Sequence, residues 1–333
     1  MSQHHLFKTK ISGLGSYLPE KTLTNHDLEK MVDTNHEWIF ERTGINSRHI
    51  ASDKEATSDL GYKAALKALE MAEVSPKDLD AIIYATVSPD HLMPNTACLV
   101  QEMLKANNCM AFDLSAACSG FVYSLSIANQ FIKTGNMKNI LVIGGEVLHR
   151  FVDYEDRSTC ILFGDGAGAA VVQRGSDDEE SDILSHHLHA EGSLGDLLIL
   201  PAGGSRHPLS QEALDQKMQF VTMKGRDIFK NAVRTMSKAC DEALQHNKMS
   251  MSDVDWVIPH QANTRIIEAV AKHANVSMDK VIVEIENMGN TSAGTVPISF
   301  DRAVRDGRIK RGQTVMLTAF GGGLTSGSLL LKY

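Results

Sequence analysis

The sequence predicts an α/β protein in which helices sandwich two sheets, and three observations carry that prediction. Amphipathic helical stretches alternate with short β-branched runs, the pattern of strands joined by helical connections. At 333 residues and 43% hydrophobic, the chain can bury one large core or two joined ones. It also repeats itself weakly at an offset of roughly 174 residues, a period for whole domains rather than a solenoid.

Taken in order, Ala65 to Asp80 reads as an amphipathic helix, a turn and a strand entry, and Ala81 to Thr86 as a buried strand. Met110 to Leu114 is an extended apolar approach to a run of small residues, and a helix follows to about Lys133. Ile140 to Gly144 is a further buried strand. The run Gly164-Asp-Gly-Ala-Gly168 superficially suggests a nucleotide loop. It lacks both the phosphate-loop form and the dinucleotide-binding spacing, so a structural turn with close strand packing is the better reading. The polar, acidic stretch Gly175 to Asp182 is a solvated loop and the expected join between halves 1–178 and 179–333. Gly192 to Phe220, with its Gly, Pro and Ser, reads as an insertion lining the entrance of a site. Beyond it, Cys240 to Leu244 and Met251 to Pro259 repeat the earlier helix, turn and strand. Ala293-Gly294 matches Ser119-Gly120, and Thr314 to Thr318 matches Ile140 to Gly144.

One cysteine stands where a nucleophile belongs. Cys118, in Ser115-Ala-Ala-Cys-Ser-Gly120, falls at the crossing from strand to helix. Free backbone N–H groups and the positive end of the helix dipole favour a thiolate there. Ala116, Ala117, Ser119 and Gly120 leave room for a substrate carbonyl. Taken alone, such a cysteine is more often a small core residue. Two further segments supply partners: Val257-Ile-Pro-His260-Gln-Ala-Asn263, a strand ending in histidine and opening a helix from Thr264 to His273, and Glu284 to Gly294, read as strand, polar turn and helix around Asn290. Histidine and asparagine at strand ends can aim two N–H donors at one carbonyl oxygen and stabilise the negative charge that develops on it. Phe320-Gly-Gly-Gly323 lets backbone N–H groups face the same cavity. Together these elements describe a thioester site.

The chain resembles β-ketoacyl-acyl carrier protein synthase III, in the condensing-enzyme branch of the thiolase superfamily. The resemblance runs from Gly13-Leu-Gly-Ser-Tyr-Leu-Pro19 to Ser328. It includes Asp33-Thr-Asn-His-Glu-Trp38-Ile, Arg42-Thr-Gly-Ile45, the Cys118 segment, Phe163 to Ala169, His260-Gln-Ala-Asn263 and Gly289-Asn-Thr-Ser-Ala293. It implies a thiolase-like fold of two similar halves in a layered α-β-α-β-α sandwich, with Cys118 from one half meeting His260 and Asn290 from the other. It implies a ping-pong reaction in which Cys118 takes the acyl group of an acyl-coenzyme A and malonyl-acyl carrier protein then condenses with it, losing carbon dioxide. The backbone N–H groups of Cys118 and Gly322 form the implied oxyanion hole. Met93 (supplied by the partner of a homodimer) and Phe320 belong to the implied acyl pocket. Trp38, Arg42, Arg157 and Asn263 are the implied coenzyme A contacts, and Lys230, Arg265 and Lys272 the implied docking rim for the carrier protein. Three positions depart from the family pattern: Met93 where phenylalanine is frequent, His273 where a second lysine is common, and Ser326 where tryptophan is usual. The flexible methionine points to an acyl pocket that takes chains longer than acetyl.

Net charge is −8, so nothing favours nucleic acid or an anionic membrane. The five cysteines are scattered, with no Cys-x-x-Cys pair, so neither a disulfide framework nor a zinc site is expected, and a cytoplasmic, reducing setting fits. The first residues lack the basic and apolar regions of a signal peptide, and no apolar run reaches the length of a membrane span. No metal or redox cofactor is expected; coenzyme A enters as part of the substrate. A condensing enzyme of secondary metabolism would share the trio. A cysteine hydrolase would share the order Cys118, His260, Asn290, but the papain-type local signature is missing and the repeat speaks against it. A silent scaffold would not require all four elements.

Overall fold

Strands rich in Val, Ile, Leu and Ala on both faces must be covered on both faces, and that requirement organises the molecule. The computed structural model describes residues 6–333. One sheet has five strands in the order Thr9–Tyr17, Gly166–Arg174, Asn139–Glu146, Ala81–Ala85 and Met110–Leu114. The last three run parallel and the first two antiparallel. The second sheet follows the same plan in the order Asp182–Ala190, Thr325–Lys332, Thr314–Gly321 and Trp256–Pro259, the last two parallel.

The two sheets face each other across a shared apolar layer. Ile83, Val142 and Val172 of one sheet and Ile258, Leu317 and Leu329 of the other bury against Phe121, Leu125, Val296 and Phe300. Those four side chains come from helices Gly120–Lys133 and Thr295–Arg305, which form the middle layer. On the outer face of the first sheet, Ile82, Tyr84 and Leu141 pack on Leu60, Ala64 and Ala68 of helix Thr57–Ala72. On the outer face of the second, Met316 and Leu330 pack on Cys240, Ala243 and Leu244 of helix Gly225–Asn247 and on Ile267 and Ala271 of helix Thr264–His273. The layers are therefore α-β-α-β-α, the thiolase-like arrangement that the resemblance implied.

One expected element differs. Glu284 to Gly294 reads in the sequence as strand, turn and helix, but a 3-10 turn spans Ile285–Asn287, and among the described residues this side of the second sheet is continued only by the isolated pair Val257 and Val281. The backbone N–H of Glu284 goes to the Gln261 side chain at 2.8 Å instead of to a strand. The Glu284 carboxylate is tied to Arg302 and Arg308. The Gly-Asp-Gly run is indeed structural. Buried Asp165 accepts from the N–H groups of Ala51, Leu148 and His149 and contacts the His149 ring. A Cβ on Gly168 would come 2.6 Å from the backbone nitrogen of Ile298, so the strand touches the central helix directly.

Candidate active site

Two strand ends, one from each sheet, and the segment after the 3-10 turn Ile285–Asn287 converge on one cavity. After strand Met110–Leu114 the chain turns through Ala117, which holds a left-handed backbone (φ 46°) that is costly for a residue with a Cβ. The turn puts Cys118 inside a 3-10 segment, Ala117–Ser119, that opens helix Gly120–Lys133. His260 follows strand Trp256–Pro259, its backbone N–H bonded to the Thr318 carbonyl at 2.7 Å. Asn290 is tied to the segment that leads into strand Gly166–Arg174: its N–H bonds the Leu162 carbonyl at 2.8 Å and its carbonyl takes the Gly164 N–H at 3.1 Å. Cys118, His260 and Asn290 are 6%, 2% and 7% exposed, and all three line a cavity of about 850 Å³.

The environments of the three side chains are set by burial. Burial pushes the Cys118 thiol up to about 12; the neighbouring Ser292 hydroxyl opposes the shift and the Glu146 charge adds to it. Burial therefore works against the thiolate that the helix start favours. Burial also pushes His260 down to about 3, so its imidazole is neutral. The Asn290 Oδ1 accepts the Ser292 backbone N–H at 2.9 Å, which leaves the amide nitrogen as the group free to donate. The glycine run lies against the nucleophile: a Cβ on Gly321 would sit 2.5 Å from the Cys118 nitrogen. Gly322 and Cys118 both line a second cavity of about 440 Å³, walled by apolar side chains that include Val87, Leu148, Phe151 and Phe163.

The other expected positions are distributed as follows. The guanidinium groups of Arg42 and Arg157 lie 4.3 and 5.1 Å from the Trp38 ring centroid at the mouth of the larger cavity. Asn263 lines that cavity and caps helix Thr264–His273 through the Ile266 N–H at 2.8 Å. Phe320 faces the larger cavity rather than the smaller one. Met93 is 87% exposed and lines neither cavity of its own chain. Arg265 stands at the cavity mouth, while Lys230 and Lys272 are exposed on the two helices packed beside it. Among the described residues, no cluster of His, Cys, Asp and Glu is placed to hold a metal ion.

Several residues of the site carry no motif that announces them. Arg226, Phe229 and Ser158 line the larger cavity, and Gly195, Leu198 and Ile199 of the insertion line the smaller one. Gln261 is fully buried and joins the carbonyls of Pro259 and Ile282 to the N–H of Glu284, so it locks the His260 strand to the Asn290 segment. Glu146, also fully buried, collects the hydroxyls of Thr86 and Ser88 and the N–H groups of Val87 and Ser88, which places Val87 in the smaller cavity wall.

Comparison with known proteins agrees with this geometry. Residues 112–192 match the family model for 3-oxoacyl-[acyl-carrier-protein] synthase III, and residues 244–333 match its C-terminal counterpart. The chain is 50% identical over 327 residues to β-ketoacyl-[acyl-carrier-protein] synthase III of Thioalkalivibrio sulfidiphilus, covering 97% of this chain and 99% of the relative. Its structure is similar to the crystal structure of 3-oxoacyl-[acyl-carrier-protein] synthase III from Aquifex aeolicus, with a TM-score of 0.90, 51% identity and coverage of 98% and 100% of the two chains. It is also similar to the priming β-ketosynthase of the R1128 polyketide biosynthetic pathway, with a TM-score of 0.91, 32% identity and coverage of 100% and 98%.

Proposed function

Because the chain belongs to the β-ketoacyl-acyl carrier protein synthase III family, we propose that Cys118, His260 and Asn290 carry its reaction, the condensation of an acyl-coenzyme A with malonyl-acyl carrier protein that initiates fatty acid synthesis. In the first half, the Cys118 sulfur attacks the thioester carbonyl, the carbonyl–sulfur bond to coenzyme A breaks, and the thiol proton departs with coenzyme A, which leaves as its thiol. The backbone N–H groups of Cys118 and Gly322 hold the transient oxyanion. In the second half, malonyl-acyl carrier protein loses carbon dioxide, and its enolate oxygen accepts hydrogen bonds from His260 and Asn290. The enolate carbon then attacks the acyl group, and the Cys118 sulfur leaves as thiolate. Neutral donors in a dry cavity stabilise developing negative charge far better than the same groups in water.

The observation that carries this reading is the convergence of the three buried side chains on one cavity. The cation-flanked Trp38 at its mouth suits an adenine and phosphates, and Arg42, Arg157 and Asn263 are its proposed partners there. Lys230, Arg265 and Lys272 would receive an acidic carrier protein. The matching strand orders support a division into halves 1–178 and 179–333. A homodimer is supported by an uncovered sheet edge, Met110–Leu114, and by two large apolar side chains left in the open, Leu92 and Met93, which are 89% and 87% exposed. In such a dimer Met93 would close the partner's acyl pocket, while Phe320, expected beside it, lines the larger cavity instead. The reaction as drawn needs no metal or redox cofactor. All five cysteines are unpaired, which supports a cytoplasmic location. The described residues contain no helix long and apolar enough to cross a membrane.

The test is reconstitution with acyl-coenzyme A and malonyl-acyl carrier protein. His260→Ala and Asn290→Ala should each lower β-ketoacyl product formation by roughly 10²–10³ while still accepting an acyl group on Cys118. Product formation unchanged in both variants would refute the assignment.

A further inference from the structure

We propose that Thr295 is a positioning residue that fixes the His260 tautomer, keeping the ring proton on Nε2 and aimed at the cavity. The His260 Nδ1 lies 2.7 Å from the Thr295 Oγ1, the ring's one hydrogen-bond contact among the described residues. Both side chains are buried, so neither can exchange this contact for water. A hydroxyl has a single proton to give. The Thr295 hydroxyl also reaches the Ser292 carbonyl as a donor at 3.1 Å, but that carbonyl is satisfied without it by the backbone N–H of Thr295 itself. Of the two groups within reach of the hydroxyl the ring nitrogen is the closer, at 2.7 Å, and it takes the hydroxyl proton. Nδ1 then accepts, and in a neutral imidazole the other nitrogen must carry the hydrogen.

The consequence falls on one half of the reaction. With Nε2–H facing the cavity, His260 can donate to the malonyl thioester oxygen but cannot take the proton of the Cys118 thiol. When the bond to the carboxylate breaks, its electron pair forms the enolate and carbon dioxide leaves. The oxygen charge is met by Nε2–H and by the Asn290 amide, and no proton moves to or from His260. Thr295 opens helix Thr295–Arg305, so its position relative to His260 is held by the central layer rather than by a loop.

The inference rests on the donor role assigned to His260 above, and its test separates the two. Histidine-labelled protein, with His260→Gln to assign the signal, reports the tautomer by nitrogen NMR without reference to activity. Wild type and Thr295→Ser should both show hydrogen on Nε2, and the isosteric Thr295→Val should show a mixture. Acyl-enzyme formation, followed by mass, should stay within about twofold in Thr295→Val. Condensation should fall about tenfold, less than the 10²–10³ for deleting a donor outright, and should recover in Thr295→Ser. Hydrogen on Nδ1 in the wild type, or an unchanged tautomer in Thr295→Val, would overturn the proposal. So would equal loss of both half-reactions in a stably folded Thr295→Val. A normal tautomer pattern with condensation insensitive to His260→Gln would instead remove the donor role and leave the Thr295 contact standing.

Discussion

Gly321→Ala tests how tightly the glycine run supports the nucleophile. The Gly321 backbone is one any residue can adopt, so the effect is collision alone. The added Cβ would lie 2.5 Å from the Cys118 nitrogen, 3.0 Å from the Ala117 Cβ and 3.2 Å from the Cys118 Cα. All three neighbours belong to the strained turn that carries the sulfur. Opening the first gap from 2.5 Å to the 3.4 Å of ordinary contact moves the Cys118 backbone by about 0.9 Å relative to the glycine run. Overpacking of this kind costs about 1–3 kcal/mol of stability. A displacement near 1 Å at the reacting atom costs about 10²-fold in rate. Stopped-flow or quenched acylation by an acyl-coenzyme A should therefore slow about 10²-fold, with a Tm only a few degrees lower. Gly204→Ala, where a Cβ would meet nothing within 4 Å, is the control and should leave both values unchanged. Wild-type acylation in folded Gly321→Ala would refute the reasoning.

Three further outcomes follow from the same site. His260 has a folded pKa depressed to about 3; its unfolded value is near 6.5. The unfolded state therefore binds more protons between these limits, and stability falls as pH drops from about 6.5 towards 3. Denaturant titrations of His260→Gln should show a slope shallower by about 1.4 kcal/mol per pH unit in that window, and parallel slopes would contradict the burial argument. The Cys118 thiol is pushed up mainly by burial and further by Glu146, so its alkylation by iodoacetamide should still be climbing at pH 10. Glu146→Gln should bring the climb to lower pH, and an unchanged profile would rule out that influence. Finally, the smaller cavity, at about 440 Å³, holds some fifteen water volumes of about 30 Å³ each, far more than an acetyl group fills. Acylation rates across a series of straight-chain acyl-coenzyme A thioesters should not peak sharply at acetyl; a sharp acetyl preference would show the cavity is closed in the working enzyme.

What the sequence made legible, and what it hid, divides along physical lines. The strands were readable because both faces are buried, so Ala81–Ala85 and residues 140–144, within strand Asn139–Glu146, stand out as runs without a charged residue. Helix Thr264–His273 was readable because its cap and periodicity are local. Cys118, His260 and Asn290 lie in short polar motifs at the ends of apolar runs, where strand-end chemistry is expected. Thr295 was not readable because it acts on His260 from 35 positions away, through a contact made only by folding. Glu146 reaches Thr86 and Ser88 across 60 and 58 positions, and Gln261 reaches Ile282 across 21. The strand expected at Glu284 failed because a buried side-chain amide and two arginines outcompete sheet pairing for that segment. The thiolate expectation meets an opposing influence that sequence order does not reveal, the depth at which Cys118 is buried, a tertiary quantity.

The central claim is that Cys118 is the covalent carrier of the acyl group. Intact-protein mass after brief incubation with a panel of acyl-coenzyme A thioesters, for wild type and Cys118→Ala, tests it most directly. The account predicts a wild-type gain of one acyl group that is absent in the variant. A gain of the same mass in Cys118→Ala, or no gain in the wild type with any thioester, would contradict it.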